Sequence, residues 1–545
     1  MFSKISHFPV IILVFISATL SAQPVAYITD SYLYQPTTWV SDTIYVIQVP
    51  VTVMPGSSLT ICPGTKVLFD TSAQGYLTGL RVAHGGKIYA DGSAAPIVFT
   101  SARTNPQPGD WLGVRLFGHA PDWCEYTVWG PNSHCLDLVV VQDTLDHFGE
   151  GSPNDTSGIF RFVRIEYAGG SQPGTSPAGR ALLMAGIGYG TRIDHIEVYK
   201  SDHIGFDIVG GTVGCKYLIA NQCDNSDFRF EQGYQGNLQF LYSLRDPKVC
   251  NAFTNAINFG ILGDSFFLKP ILSNLTVAGP IGSGIASGYN RLIRLSYGTQ
   301  AGLFNSVLCG KYPTGVYYDG SSSPQNYLLG DSIEIKNTLL AGPVTPLRQG
   351  ILVPPMLLEN WFSNPSFSNH ITADPNFAGL LDPFNLTAPN PLPAPGAWVW
   401  DKASFSSSPR LADPFFEKVN FIGAFGPVDW TYPWASWHHW TPGPVSCLTQ
   451  DSVFGTVVLL VLSQPASDQA FLLVNFPQNM NPDIFSVQVM NTDLQAQSVH
   501  VPYQFEETPT GFQLELDVRG LPNGTYIVSI EGEGFSASGR LTVQH

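Results

Sequence analysis

Charge is what this chain has least of. Only 12% of its 545 residues are Asp, Glu, Lys or Arg, and the 42 acidic against 26 basic groups leave a formal net charge of −16. An acidic surface repels phosphate backbones, and no basic run interrupts it, so nucleic acid is excluded as a partner. Close cysteine pairs are missing as well. The eight cysteines contain no CxxC, which removes the common zinc-site pattern. Also absent are GxSxG, HExxH and GxxxxGK[ST], and with them the usual serine-hydrolase, zincin and P-loop chemistries. Long apolar runs are lacking too. "PVIILVFI" follows Lys4 and precedes small residues ending at Ala22, the pattern of a secretory signal peptide over residues 1–22. The other apolar run, "VFGTVVLLVLS" at 453–463, is far short of the ~20 residues a membrane helix needs. An exported protein without a transmembrane helix is expected.

What the chain does have is glycine (53), proline (42) and 12% aromatic residues, a composition that favours strands and turns over helices. From residue 46 onward, brief alternating runs are divided by turn residues. Val51 and Val53, Leu59 and Ile61, Val67 and Phe69, and Ile97 and Phe99 each place two apolar side chains on one strand face, while Pro-Gly at 55–56 and 63–64 and Gly-Gly at 85–86 end the runs.

Spacing decides how such strands assemble. "SDHIGFDIVGG" at 201–211 and "CDNSDFRFEQG" at 223–233 superpose with an offset of 22 residues. That offset sets Phe206 against Phe228, and it also sets Ile196 over Leu218 over Phe240 and Asp202 over Asp224 over Asp246. In a parallel β-helix each coil lies ~4.8 Å above the last, so equivalent positions stack into ladders. The predicted fold is all-β: a parallel β-helix over residues 51–345, with an N-terminal cap at 23–50 and an irregular aromatic-rich C-terminal cap at 346–440. A linker at 441–450 then leads to a small β-sandwich at 451–545, where "FSVQVMN", "FQLELDV" and "TYIVSIEG" alternate apolar and polar residues.

"SSLTICPGTKVLF", "GGKIYADGSAAPIVFTSA", "GDWLGVRLFG" and the stretches that follow to about residue 440 resemble secreted right-handed parallel β-helix proteins of Bacteroidetes type. The resemblance implies a fold and an extracellular address more than an activity. The chain departs from the family pattern in having Asp202-His203 and Asp224-Asn225 where an acidic doublet is common, and Tyr234 where a Trp is expected, which weakens any metal site carried over by analogy. The end, "LELDVRGLPNGTYIVSIEGEGFSASGRLTV", is similar to the C-terminal sorting domain of the type IX secretion system. That likeness implies the type IX machinery as a partner and gives Gly524, Tyr526 and Val528 the role of the sorting motif, with Arg540 where a Lys is frequent.

For chemistry, the aspartate column Asp202, Asp224 and Asp246 is the sharpest candidate, either as Ca²⁺ ligands or as an acid and base acting on an acidic polysaccharide. Against it stands an Asx-turn role for each Asp at a strand-to-turn junction. Glu166, His195 and Glu197 alternate with Ile165, Ile196 and Val198 and are expected to face solvent. His438 and His439, between Trp437 and Trp440, point to opposite sides of an extended segment and belong to cap packing. Cys124 with Cys135 is the most natural disulfide, and Cys215 with Cys223 a weaker one. No cofactor beyond that Ca²⁺ is implied. The preferred function is a secreted or cell-surface protein that contacts glycans or mediates adhesion without catalysis. A polysaccharide lyase or glycoside hydrolase acting on the β-helix face is the alternative, and a structural envelope protein the third.

Overall fold

The computed structural model describes residues 23–438 except 72–75, 122–146, 150, 172–178, 251–252, 261–267, 297–298, 320–327, 329, 331 and 352. Beyond these it describes 458–461, 469–475, 485–491, 498–499, 501–508, 511–532 and 535–545. The signal peptide, the Cys124–Cys135 pair and the linker at 441–450 lie outside the described residues.

Short strands that cannot stand alone become stable here by pairing in parallel with the coil before and the coil after. Among the described residues they form a 17-stranded and an 11-stranded sheet that wrap one continuous apolar core. Phe206 pairs with Phe228 and Ile208 with Phe230, and the two phenylalanine rings stack at 5.2 Å. Ile196 pairs with Leu218. The ladder predicted from a constant offset slips at the next coil: Leu218 pairs with Leu241, a step of 23 residues, and Phe240 turns outward. The intervening turn, "EQGYQGN", is one residue longer than its predecessor, and one residue is enough to exchange the faces of a strand. Val25–Ile28 already pairs with Ile44–Ile47, so residues 23–50, expected as a cap, supply the first coil.

Each long strand of the larger sheet bends at one position held in left-handed backbone. Phe162, His195, Tyr217, Phe240, Asn274, Asn305 and Asn337 occupy this column, with φ between 50° and 60°. A non-glycine residue there costs ~1–2 kcal/mol, and the cost is offset by stacking. His195 lies 4.1 Å from Phe162 and 4.4 Å from Tyr217, and Tyr217 lies 5.1 Å from Phe240.

The segment expected to close the solenoid divides in two. Leu357–Phe362 forms a short helix, and its Leu358, Trp361 and Phe362, together with Phe367, join the main core at the last coil. From about residue 382 the chain instead runs back along the flank as a strap over the bend column. Asn337 donates to Lys402 O, the Ser404 N–H donates to Asn305, Asn274 donates to Phe421 O, and the Ser436 N–H donates to Glu197. Beneath the strap Tyr242, Leu244 and Ala278 pack against Leu392, Phe425 and Trp434.

Residues 458–545 contribute two four-stranded antiparallel sheets, with Leu514, Leu516, Tyr526, Val528 and Leu541 buried, as the predicted small β-sandwich requires. No helix among the described residues is long and apolar enough to cross a membrane.

Candidate functional site

Outward-facing residues of three successive coils share one column beside the bend: Arg161 pairs with Asp194, and Asp194 with Lys216. Asp194 sits at the centre. It accepts hydrogen bonds from Arg161 Nε at 3.0 Å and Arg192 Nε at 3.1 Å, and its Oδ1 lies 2.6 Å from His195 Nδ1. Burial works to raise the Asp194 pKa, but the His195 and arginine contacts outweigh it and hold the carboxyl below its ordinary value. For His195 burial is the larger effect and lowers the pKa, so the neutral ring is favoured at pH 7, with Nδ1–H directed at Asp194.

The strap forms the other wall. Glu417 accepts from Lys216 Nζ at 2.6 Å and from the Tyr217 hydroxyl at 3.3 Å, and Phe415 lies beside Gly214. Burial, and then the Glu417 carboxylate, push the Tyr217 hydroxyl pKa upward, so the phenol stays protonated. Between the walls is an open cleft of 410 Å³. The turn before Arg192 adds Tyr189, whose ring is 65% exposed, and Arg192 itself is 58% exposed. The cleft thus combines aromatic faces with three cationic side chains, two carboxylates and a neutral imidazole.

The residues singled out from sequence lie elsewhere, with one exception. His195 is in the cleft wall, wedged between two rings rather than solvated. Glu166 and Glu197 do face outward from the sheet, as alternation requires, but both are fully buried because the strap covers them. Arg164 joins them, donating to Glu166 and lying 3.3 Å from Glu197, and it also donates to His438 O. The expectation of a solvated face fails here because the cover comes from a segment more than 200 residues away. Asp202 and Asp224 are neighbours: Asp202 contributes, after burial, to raising the Asp224 pKa, and Asp202 lies 3.0 Å from His203. Asp246 falls out of register with them through the 23-residue step and accepts from its own Lys248 N–H, the Asx-turn arrangement. Among the described residues no three His, Cys, Asp or Glu side chains are placed to share a metal ion, so the three aspartates do not fit a common Ca²⁺. Cys215 and Cys223 are both free thiols in the core. They flank the ends of the extended strand Cys215–Asn221, far beyond the ~7 Å that a disulfide spans between Cα atoms.

Sequence reasoning missed Arg161, Asp194, Arg192, Lys216 and Tyr189. The 22-residue offset already sets Asp194 over Lys216, which is the signal that was present. Glu417 and Phe415 left none.

Against known families, residues 32–349 match the model of the pectate-lyase-like β-helix domain. The chain belongs to that family. Comparison with curated proteins and with solved structures found no match. The match spans the solenoid up to the strand Thr345–Gln349, and the strap lies beyond it.

Proposed function

We propose that this β-helix protein acts outside the cell, at the surface or released from it, and contacts glycans through the flank cleft without cleaving them. The observation that carries this reading is the cleft itself. The exposed Tyr189 ring and the half-buried Phe415 ring suit the apolar faces of sugar rings, and Arg161, Arg192 and Lys216 suit hydroxyl or acidic substituents. Its open shape fits a section of a chain rather than an enclosed small molecule. Type IX export through the C-terminal sandwich, with Gly524, Tyr526 and Val528 as its motif, completes the proposal; the strand Gly524–Gly532 lies inside one of the two sheets.

Full-length protein is screened on a glycan array and affinities are then measured in solution. Tyr189→Ala with Arg192→Ala is expected to weaken the best ligand at least tenfold while the ligand stays intact over hours. Unchanged affinity in that variant defeats the cleft assignment. Release of reducing ends or unsaturated sugars favours the second reading, a carbohydrate-active enzyme, which the family and the Asp194–His195 pair support. In that case His195→Ala abolishes product formation.

A further inference from the structure

The outward face of the smaller sheet carries a polar column whose two halves differ in charge balance. Asp207, Arg229, Asn258, Arg294, Tyr317 and Arg348 pair in succession along it. In the first half cations and carboxylates match: Arg180 and Arg229 both bond Asp207, and Arg229 lies 3.5 Å from Glu231. In the second half they do not. Arg291 stacks over the Tyr317 ring at 4.1 Å, with Arg294 and Arg348 close enough to repel it. Among the described residues the carboxylate that meets them is Asp319, 2.8 Å from Arg294.

Like charges gathered this way oppose one another unless an anion joins them. Concentrating three of the 26 basic residues at one spot in a chain of net charge −16 is the reverse of what solubility asks for. One unfilled donor adds to the imbalance. Arg294 Nε is buried and has no partner among the described residues. Arg294 and Arg348 lie two rungs apart, ~9.6 Å at strand spacing, so the guanidinium groups form a short stripe along the axis rather than a point.

We propose that this stripe is a second binding surface, separate from the flank cleft, for a linear glycan bearing sulfate esters. Arginines on the two strands flanking Tyr317 approach an anion from different directions. A tetrahedral sulfate offers acceptor oxygens to each, where a planar carboxylate offers an edge that one guanidinium fills. The Tyr317 ring, already carrying Arg291 on its face, holds that guanidinium in place without neutralising it.

The test uses full-length protein and dextran sulfate, with polygalacturonate and polyphosphate of matched charge density as controls, in a surface-binding assay at several salt concentrations. Wild type is expected to bind dextran sulfate more tightly than either control, with affinity falling as salt rises. Arg291→Ala/Arg348→Ala is expected to lose at least tenfold, and Lys311→Ala, at an exposed lysine in neither the cleft nor the stripe, to lose nothing. Should the double variant misfold, as judged by its melting curve, Arg348→Glu on the exposed side chain alone makes the same measurement. Equal binding by the stripe variant, equal or tighter binding of either control polymer, or no binding of dextran sulfate at low salt each overturns the proposal. Equal loss of binding in Lys311→Ala shows unspecific attraction to exposed cations and overturns it as well.

Discussion

Asn305 sits in left-handed backbone at φ 50°, fully buried, and its side chain does two jobs. Its Oδ1 accepts from the Ser404 N–H at 2.8 Å, and its Nδ2 donates to Ser273 Oγ at 3.2 Å. Asparagine tolerates this conformation better than most residues, and its amide satisfies both the strap and the coil beneath. Asn305→Ala adds backbone strain and leaves the half-buried Ser404 N–H without its acceptor, so it is expected to destabilise the solenoid by about 2–4 kcal/mol. Asn305→Gly recovers only the backbone share. Urea unfolding followed by tryptophan fluorescence separates the two, and equal stability of wild type and the alanine variant denies the side chain its role. Nothing in the sequence distinguishes Asn305 from a surface asparagine, because the residue that needs it is about a hundred positions away.

The strap is the element that converts an outward strand face into an interior. Arg164, Glu166 and Glu197 would be ordinary solvated charges on an open sheet. Covered by residues 436–438, they form a buried network in which Glu197 also accepts from Asn221 at 3.1 Å. Burial raises the Glu197 pKa and Arg164 opposes that rise, so the arginine is what makes a charge tolerable there. Arg164→Met takes the guanidinium away from both carboxylates, with Lys66 still acting on Glu166. A loss of about 3–5 kcal/mol is expected, together with faster proteolysis within residues 382–438. Glu197→Gln added to Arg164→Met recovers part of the loss. If the single variant resists protease as wild type does, the network does not hold the strap down. The tryptophans and phenylalanines of this segment were legible as packing residues, but their partners were not: Trp434 meets His195 and Phe162, and Trp430 meets Tyr217.

At the scale of the whole molecule, two units of different construction follow one another. The solenoid is held by contacts between coils 19 to 70 residues apart, and the C-terminal sheets by antiparallel hairpins such as Gly524–Gly532 with Phe535–Val543. Deleting residues 448–545 is therefore expected to leave the main thermal transition of the solenoid unchanged while abolishing arrival at the cell surface. Cell fractionation reads the second outcome, and a truncated protein that still reaches the surface ends the sorting proposal. The coiled architecture was legible because stacking demands like over like at a repeating interval, and Phe206 with Phe228 satisfies that demand. The slip at Phe240 was not, since a one-residue change in turn length leaves the apolar pattern almost intact.

By itself the sequence determined that this chain is all-β, that its middle winds into parallel coils, and that strands of a different, antiparallel kind follow them. Those features depend on local alternation and on short repeats, which a reader of one dimension can see. Only the tertiary structure decided that the aromatic segment lies along the flank, that Glu166 and Glu197 are buried, and that Arg161, Asp194, Lys216 and Glu417 share a cleft. Each of those results depends on two segments far apart in the chain meeting across a sheet face, and no local pattern encodes which face a distant segment will cover.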